Sequence, residues 1–328
     1  MVAFNVYIPQ TSESSAEIAT RTGLAREVIE EKFGLLRKGR AAPDEHVSDM
    51  AVRAARPLLS HVPAEEIDAV LYFGSPHKDY PVWMAAPKIQ YELGARRAMA
   101  FEVMCVSAGL PIALDVARSM LLANPHLRTV LLAGASKEST LIDYRNPRSR
   151  FMFNFGDGAA AALLKRGHRH NPVLATAAIS DGSFHGFVKV PAGGTKKPAS
   201  LSTVEEGLHF LDVSDPQEMK RRLDPVSAER FIQVARLAAE RSGYQPEQIR
   251  FVAMLHTKRS LFRRVMEALG VPPERRVYLE SHGHMSAIDP LVALDEANKR
   301  RILQPGDLII FLSAGTGYTW AATALSWG

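Results

Sequence analysis

The chain has 328 residues, 46% apolar and 23% charged, enough to bury a large core as one domain or two intimate ones. Its formal charge of +5 is modest for this length and gives no reason to expect a nucleic-acid partner, and its single cysteine excludes an intramolecular disulfide and a multi-cysteine metal site. The opening MVAFNVYIPQ has neither a basic n-region nor a long apolar run, and stretches such as TVLLAGA (129–135) are too short for a bilayer, so a cytoplasmic protein without a membrane partner is expected.

In chain order, IDAVLYFGS (67–75), AMAFEVM (98–104), TVLLAGA and GAAAALL (158–164) read as buried strands. Between them SAGLPIALDVARSMLLA (107–123) reads as a helix that is apolar on most faces, and therefore central. Strands alternating with helices indicate an α/β layered fold. The second half repeats the order of the first. PAEEIDAVLYFG (63–74) is echoed by PEQIRFVAMLH (246–256), KIQYELGA (88–95) by RVMEALGV (264–271), and RTVLLAGAS (128–136) by GDLIIFLSAG (306–315). FGDGAAAALL (155–164) is echoed by AGTGYTWAATAL (314–325). These echoes predict a duplication, with halves 1–165 and 166–328 packed about a pseudo-twofold axis.

The cysteine takes part in this repetition. CVSAGLPIALDVA begins at Cys105 and HMSAIDPLVALDEA at His284, each with Ser-Ala two residues on and proline six residues on, which predicts that the two residues occupy equivalent places at helix N-termini. A thiolate there is favoured by free backbone N–H groups and the helix dipole, although the stretch alone reads equally as a buried structural cysteine. His256 ends an apolar strand and enters a basic loop, where a histidine either reaches a pocket or is simply solvated. His284 follows Gly283, whose conformational freedom allows a tight turn before the helix. HGH (282–284) also suggests metal ligation, but no third ligand has suitable spacing, so no metal and no cofactor are expected. Lys258, Arg259, Arg263 and Arg264 form either a solvated helix face or a docking surface for phosphates or an acidic carrier domain.

With FEVMCVSAG, FNFGDGAAAALL, VKVPAGG, LHTKRS, HGHMSA…PLVALDEA and LQPGDLIIFLSAGTGYTW in this order, the chain resembles the thiolase superfamily. Within it the resemblance is to the β-ketoacyl-[acyl-carrier-protein] synthase III group. It implies a thiolase-like fold of duplicated αβαβα layers and a homodimer. It also implies a reaction: an acyl group from a coenzyme A or carrier-protein thioester is loaded on Cys105, then condensed with a malonyl thioester as carbon dioxide leaves. By the same resemblance His256 polarises the malonyl thioester carbonyl, and the backbone N–H groups of Cys105 and Thr316 form an oxyanion hole. Lys32, Arg150, Lys258, Arg259 and Arg263 bind the donor or carrier, and Val82, Trp83 and Met84 line the acyl pocket across the dimer.

Several positions depart from the family pattern. His284 stands in place of the usual asparagine, Val28 in place of a tryptophan that stacks on adenine, and Arg259 in place of an asparagine. Thr316 replaces the middle glycine of a terminal glycine triplet, and its branched side chain narrows the space around it. By the resemblance a neutral His284 stabilises the enolate through its N–H much as an amide would, and because it can also titrate, acyl transfer to another nucleophile without decarboxylation stays open. Since the superfamily includes silent subunits, a non-catalytic partner subunit of a mixed dimer is the other alternative. The pathway is open between fatty-acid initiation and a specialised, polyketide-type route.

Overall fold

The apolar stretches become strands of two sheets, described over residues 1–328 by a computed structural model. The first half runs β1 (Ala3–Tyr7), β2 (Thr11–Ser14), α1 (Ser15–Thr22), β3 (Arg37–Arg40), α2 (Val47–Ala55) and β4 (Ala69–Tyr72). It continues through α3 (Ala85–Leu93), β5 (Met99–Glu102), α4 (Gly109–Ala123), β6 (Thr129–Lys137) and β7 (Asp157–Lys165). The second half opens with β8 (Val173–Ser180), β9 (Val188–Lys189), α5 (Leu201–Glu205) and β10 (Asp212–Val213). It ends with α6 (Pro216–Arg241), β11 (Ile249–Met254), α7 (Arg259–Ala268), α8 (Asp289–Lys299), β12 (Leu308–Gly315) and β13 (Thr319–Ser326).

The first sheet has the order β1-β7-β6-β4-β5 and the second β8-β13-β12-β11. Both share one pattern: an edge strand antiparallel to the next, an antiparallel hairpin, then a parallel neighbour. The second sheet lacks a counterpart of β5. β4 is shorter than the predicted strand, yet Phe73 and Ser75 still donate backbone hydrogen bonds to Ala133 and Ala135 of β6.

Helices α2 and α3 cover the first sheet, α6 covers the second with α7 against it, and α4 and α8 lie between the sheets. The central core joins Leu110, Leu114 and Ala117 of α4 to Leu291 and Leu294 of α8, with Leu71 and Leu132 from one sheet and Phe251 and Phe311 from the other. Small residues let the layers approach. Val106–Ala123, which contains the apolar helix expected at 107–123, is long and apolar enough to cross a membrane by composition, unlike the shorter strand runs, and half of it is buried. Its apolar faces meet a sheet on each side, which is why it needs no polar stripe.

The backbone corrects the predicted pairing of Cys105 with His284. Val106 and Ser286 both have positive φ, 46° and 56°, and each opens a 3-10 turn, Val106–Ala108 and Ser286–Ile288. The helices then start at Gly109 and Asp289, and the Ala-Leu-Asp triplets follow at 113–115 and 293–295. Cys105 therefore corresponds to Met285, and His284 precedes the equivalent position by one residue. The misleading mark is proline: Pro111 and Pro290 sit at different positions of the first turn, where a helix tolerates the missing N–H at more than one place.

Candidate active site

Cys105 heads the turn before α4 with φ −140° and ψ 32° and is half-buried. It is the cap residue of a single 3-10 turn, so the α-helix proper starts four residues later than the thiol. Burial pushes the Cys105 thiol up, while the Thr319 hydroxyl beside it pulls the other way. Gly315, the last residue of β12, abuts this turn. A Cβ on Gly315 would lie 2.4 Å from the Cys105 carbonyl oxygen, so only glycine admits the close approach. Thr316 lies in the turn between β12 and β13, half-buried, and the positive φ there falls on Gly317 at 135°. Threonine at 316 is thus under no left-handed backbone demand.

Both histidines are buried, His256 3% and His284 6% exposed, so each must have partners for its ring nitrogens. His256 Nε2 lies 3.1 Å from the Gly34 carbonyl oxygen, an acceptor only, which assigns the proton to Nε2. Its Nδ1 then accepts from Asn154 Nδ2 at 2.8 Å. Burial lowers the His256 pKa to about 4, so the ring is neutral near pH 7.

His284 Nδ1 lies 2.6 Å from Asp289 Oδ2, and its Nε2 lies 2.8 Å from Ser107 Oγ. Burial would lower its pKa, but Asp289 and then Glu138 outweigh it and the net shift is upward. Asp289 is wholly buried and joins the two histidines: its Oδ2 also accepts the His256 backbone N–H at 2.8 Å, and its Oδ1 accepts the Met285 N–H at 2.7 Å. A chain of polar contacts therefore runs Ser107–His284–Asp289–His256, starting two residues from Cys105. Glu138 is buried behind it, accepting from Ser75 Oγ at 2.8 Å, and burial raises its pKa.

The stretch Asn154–Gly156 secures both histidines. Besides the Asn154 amide on His256, the His284 N–H donates to the Asn154 carbonyl at 2.9 Å and the Gly156 N–H to the His284 carbonyl at 2.8 Å. Gly283 reaches this position with φ 70°, as the sequence suggested, and a Cβ there would lie 2.3 Å from the Asn154 carbonyl oxygen. Lys38, fully buried, donates to the carbonyls of Phe153 and Phe155 at 2.8 and 2.7 Å, fixing the stretch from behind.

The structure thus gathers Cys105, His256, His284 and the turn containing Thr316. Lys32, Arg150 and Arg263 are exposed and make no ion pair, whereas Lys258 pairs with Asp224 at 3.1 Å and Arg259 with Glu280 at 2.8 Å. Val82 and Met84 are exposed and Trp83 is half-buried against Tyr80; their loop is tied to the first sheet by Glu102, which accepts from Lys78 and from the Ala85 N–H. Sequence reasoning missed Ser107, Glu138, Asn154 and Asp289. Two had a visible signal: Asn154 stands inside FNFGDG, and Asp289 lies five residues after His284 at a helix start.

A half-buried cysteine beside two histidines that share one carboxylate, between two like sheets, defines a condensing acyltransferase of the thiolase superfamily. Residues 101–182 match the family described as 3-oxoacyl-[acyl-carrier-protein (ACP)] synthase III, and residues 239–327 match its C-terminal family. The beta-ketoacyl-[acyl-carrier-protein] synthase III of Rhodospirillum centenum is 30% identical over 329 residues, covering 98% of this chain and 96% of the relative. The enzyme of that name from Symbiobacterium thermophilum is 28% identical, covering 98% and 96%. The crystal structure of 3-oxoacyl-[acyl-carrier-protein] synthase III from Aquifex aeolicus superposes with a TM-score of 0.83 at 26% identity, covering 99% of each chain. The chain belongs to the 3-oxoacyl-[acyl-carrier-protein] synthase III family.

Proposed function

We propose that the protein loads an acyl group on Cys105 and condenses it with a malonyl thioester through His256 and His284. In the first half-reaction the Cys105 sulfur attacks the donor thioester carbonyl. The resulting oxyanion receives hydrogen bonds from the backbone N–H groups of Cys105 and Thr316, and its collapse expels the donor thiol. In the second, the malonyl carboxylate leaves as carbon dioxide and its electron pair forms an enolate at the remaining thioester. Hydrogen bonds from His256 and His284 lower the energy of that enolate. Its carbon attacks the acyl-cysteine, forming the carbon–carbon bond and releasing the Cys105 thiolate with a β-ketoacyl thioester. The carrying observation is the shared Asp289, which binds the supports of both histidines into one unit beside the cysteine turn.

The lowered His256 pKa keeps a single N–H on Nε2, which donates to the Gly34 carbonyl at 3.1 Å, so His256 serves the enolate oxygen by exchanging that hydrogen bond for one to the substrate. The exposed, unpaired Lys32, Arg150 and Arg263 are the readiest partners for the phosphates of a coenzyme A or carrier-protein donor, with Lys258 and Arg259 contributing only if their present ion pairs yield. The nucleophile belongs to the 1–165 half and the histidines to the 166–328 half of a homodimer assembled in the cytoplasm. Support for the dimer comes from β5, an unpaired sheet edge carrying exposed Met99, and from exposed Tyr80, Val82 and Met84, whose loop then lines the partner's acyl pocket. A second reading, acyl transfer to a hydroxyl without decarboxylation, is favoured by one contact: His284 Nε2 already faces a hydroxyl at 2.8 Å, the geometry of a general base.

Acyl-loaded enzyme given a malonyl thioester discriminates between these readings. Condensation predicts equal amounts of carbon dioxide and β-ketoacyl thioester. Loss of the acyl group to added alcohols, without carbon dioxide, supports the second reading and overturns the first.

A further inference from the structure

Position 284 holds a histidine where the resemblance implies an amide, and the two groups differ in one respect that the geometry makes decisive. An amide always has an N–H to offer; a neutral imidazole has one, and its place is fixed by its neighbours. Asp289 presents only acceptor atoms to His284, and it already receives the His256 and Met285 N–H groups, so the ring proton sits on Nδ1. Nε2 is then a bare acceptor, and the hydroxyl of Ser107 at 2.8 Å donates to it. In that state His284 cannot donate to a thioester oxygen. It gains a donor at Nε2 only by taking up a second proton, whereupon the Ser107 oxygen turns acceptor and shares that N–H with a thioester oxygen brought beside it.

We propose that Ser107 is a positioning residue for His284, holding Nε2 so that the ring serves condensation only as an imidazolium and the second half-reaction is gated by a proton at this one histidine. The inference rests on the reading of His284 as a group that stabilises the malonyl-derived enolate. The surroundings suit a cation: Asp289 approaches from the start of α8, Glu138 from the end of β6 and neutral His256 from the end of β11, while Ser107 closes the fourth side from the turn before α4. His282 turns aside to Glu296 at 3.6 Å. Ser107 is itself held, its carbonyl accepting from Ser313 Oγ, and only 5% exposed. A hydroxyl bonds a charged imidazolium more strongly than a neutral ring, so it favours the active form.

The test separates the half-reactions. Enzyme is loaded with acyl-CoA, freed of donor, and mixed with malonyl thioester across pH 5.5 to 9.5, with carbon dioxide release as readout. The wild type is expected to lose condensation as pH rises through the His284 pKa. Ser107→Ala is expected to move that loss to lower pH by about one unit, while loading keeps its own profile. His284→Asn is expected to abolish the alkaline loss, since an amide needs no added proton. A wild-type profile flat to pH 9.5 overturns the proposal without recourse to any variant. A Ser107→Ala profile that is lower but unshifted also overturns it, leaving Ser107 with packing alone. Failure of the wild type to load, or to release carbon dioxide at any pH, contradicts the proposed function instead.

Discussion

The turns at Cys105–Ala108 and Met285–Ile288 share a backbone but not a chemistry. Each places a positive φ on the second residue, closes one 3-10 turn and feeds a helix buried between the sheets. In the first half the turn presents a thiol; in the second, the equivalent residue is Met285, fully buried in the core. The second half instead uses the flanking positions, His284 before the turn and Asp289 after it. Two like turns thus carry a thiol on one side and a histidine–aspartate pair on the other, and Ser107–His284 is the contact that joins them.

The comparison breaks most sharply at its first residue. Cys105→Ala should lower turnover by more than about 1,000-fold with the fold intact, whereas Met285→Ala should leave loading unchanged and cost about 2–5 kcal/mol of stability in denaturant titration. Asp289→Asn is next. It puts an amide N–H where backbone donors converge and weakens the hold on both histidines. About a 100-fold loss of condensation and about 3 kcal/mol of stability are expected, read by carbon dioxide release and by denaturation.

The two histidines also separate by pH. The folded His256 pKa of about 4 lies below the unfolded value of 6.5, so the unfolded chain binds the extra proton first as pH falls. This group's contribution is complete above pH 6.5 and lost as pH drops toward 4, about 3 kcal/mol across that window. Thermal unfolding of wild type beside His256→Asn should show the wild type with the steeper loss. The opposite sign holds for His284, whose raised pKa gives stability present below 6.5 and lost as pH climbs through the folded value. The smallest effect concerns the shared turn. Val106→Gly relieves a branched residue at positive φ and should raise stability by about 1 kcal/mol, measurable by thermal melt, while slowing loading through a looser turn.

Much of this was legible because it is written locally. The strands of the two sheets announce themselves as runs such as TVLLAGA, and the common pattern of the two sheets shows as repeated runs with matching ends. Cys105, His256 and His284 stand at ends of such elements, where side chains reach a site. Ser107 was not legible and Asp289 only by its spacing from His284, since a serine or aspartate in a first helical turn ordinarily serves the backbone there. Only the packing of α4 against α8 shows that they serve His284. The pairing of Cys105 with His284 fails for a related reason: Ser-Ala and proline repeat at one register, whereas the positive φ at Val106 and Ser286 carries another and leaves no trace in residue type.

Acylation of Cys105 precedes every other step of the proposed reaction. Intact-protein mass after incubation with a panel of acyl-CoA thioesters, wild type beside Cys105→Ala, tests it most directly. One acyl adduct per chain on the wild type and none on the variant is the predicted result. An adduct of equal extent on Cys105→Ala, or a wild type that turns over substrate without ever carrying one, would contradict it.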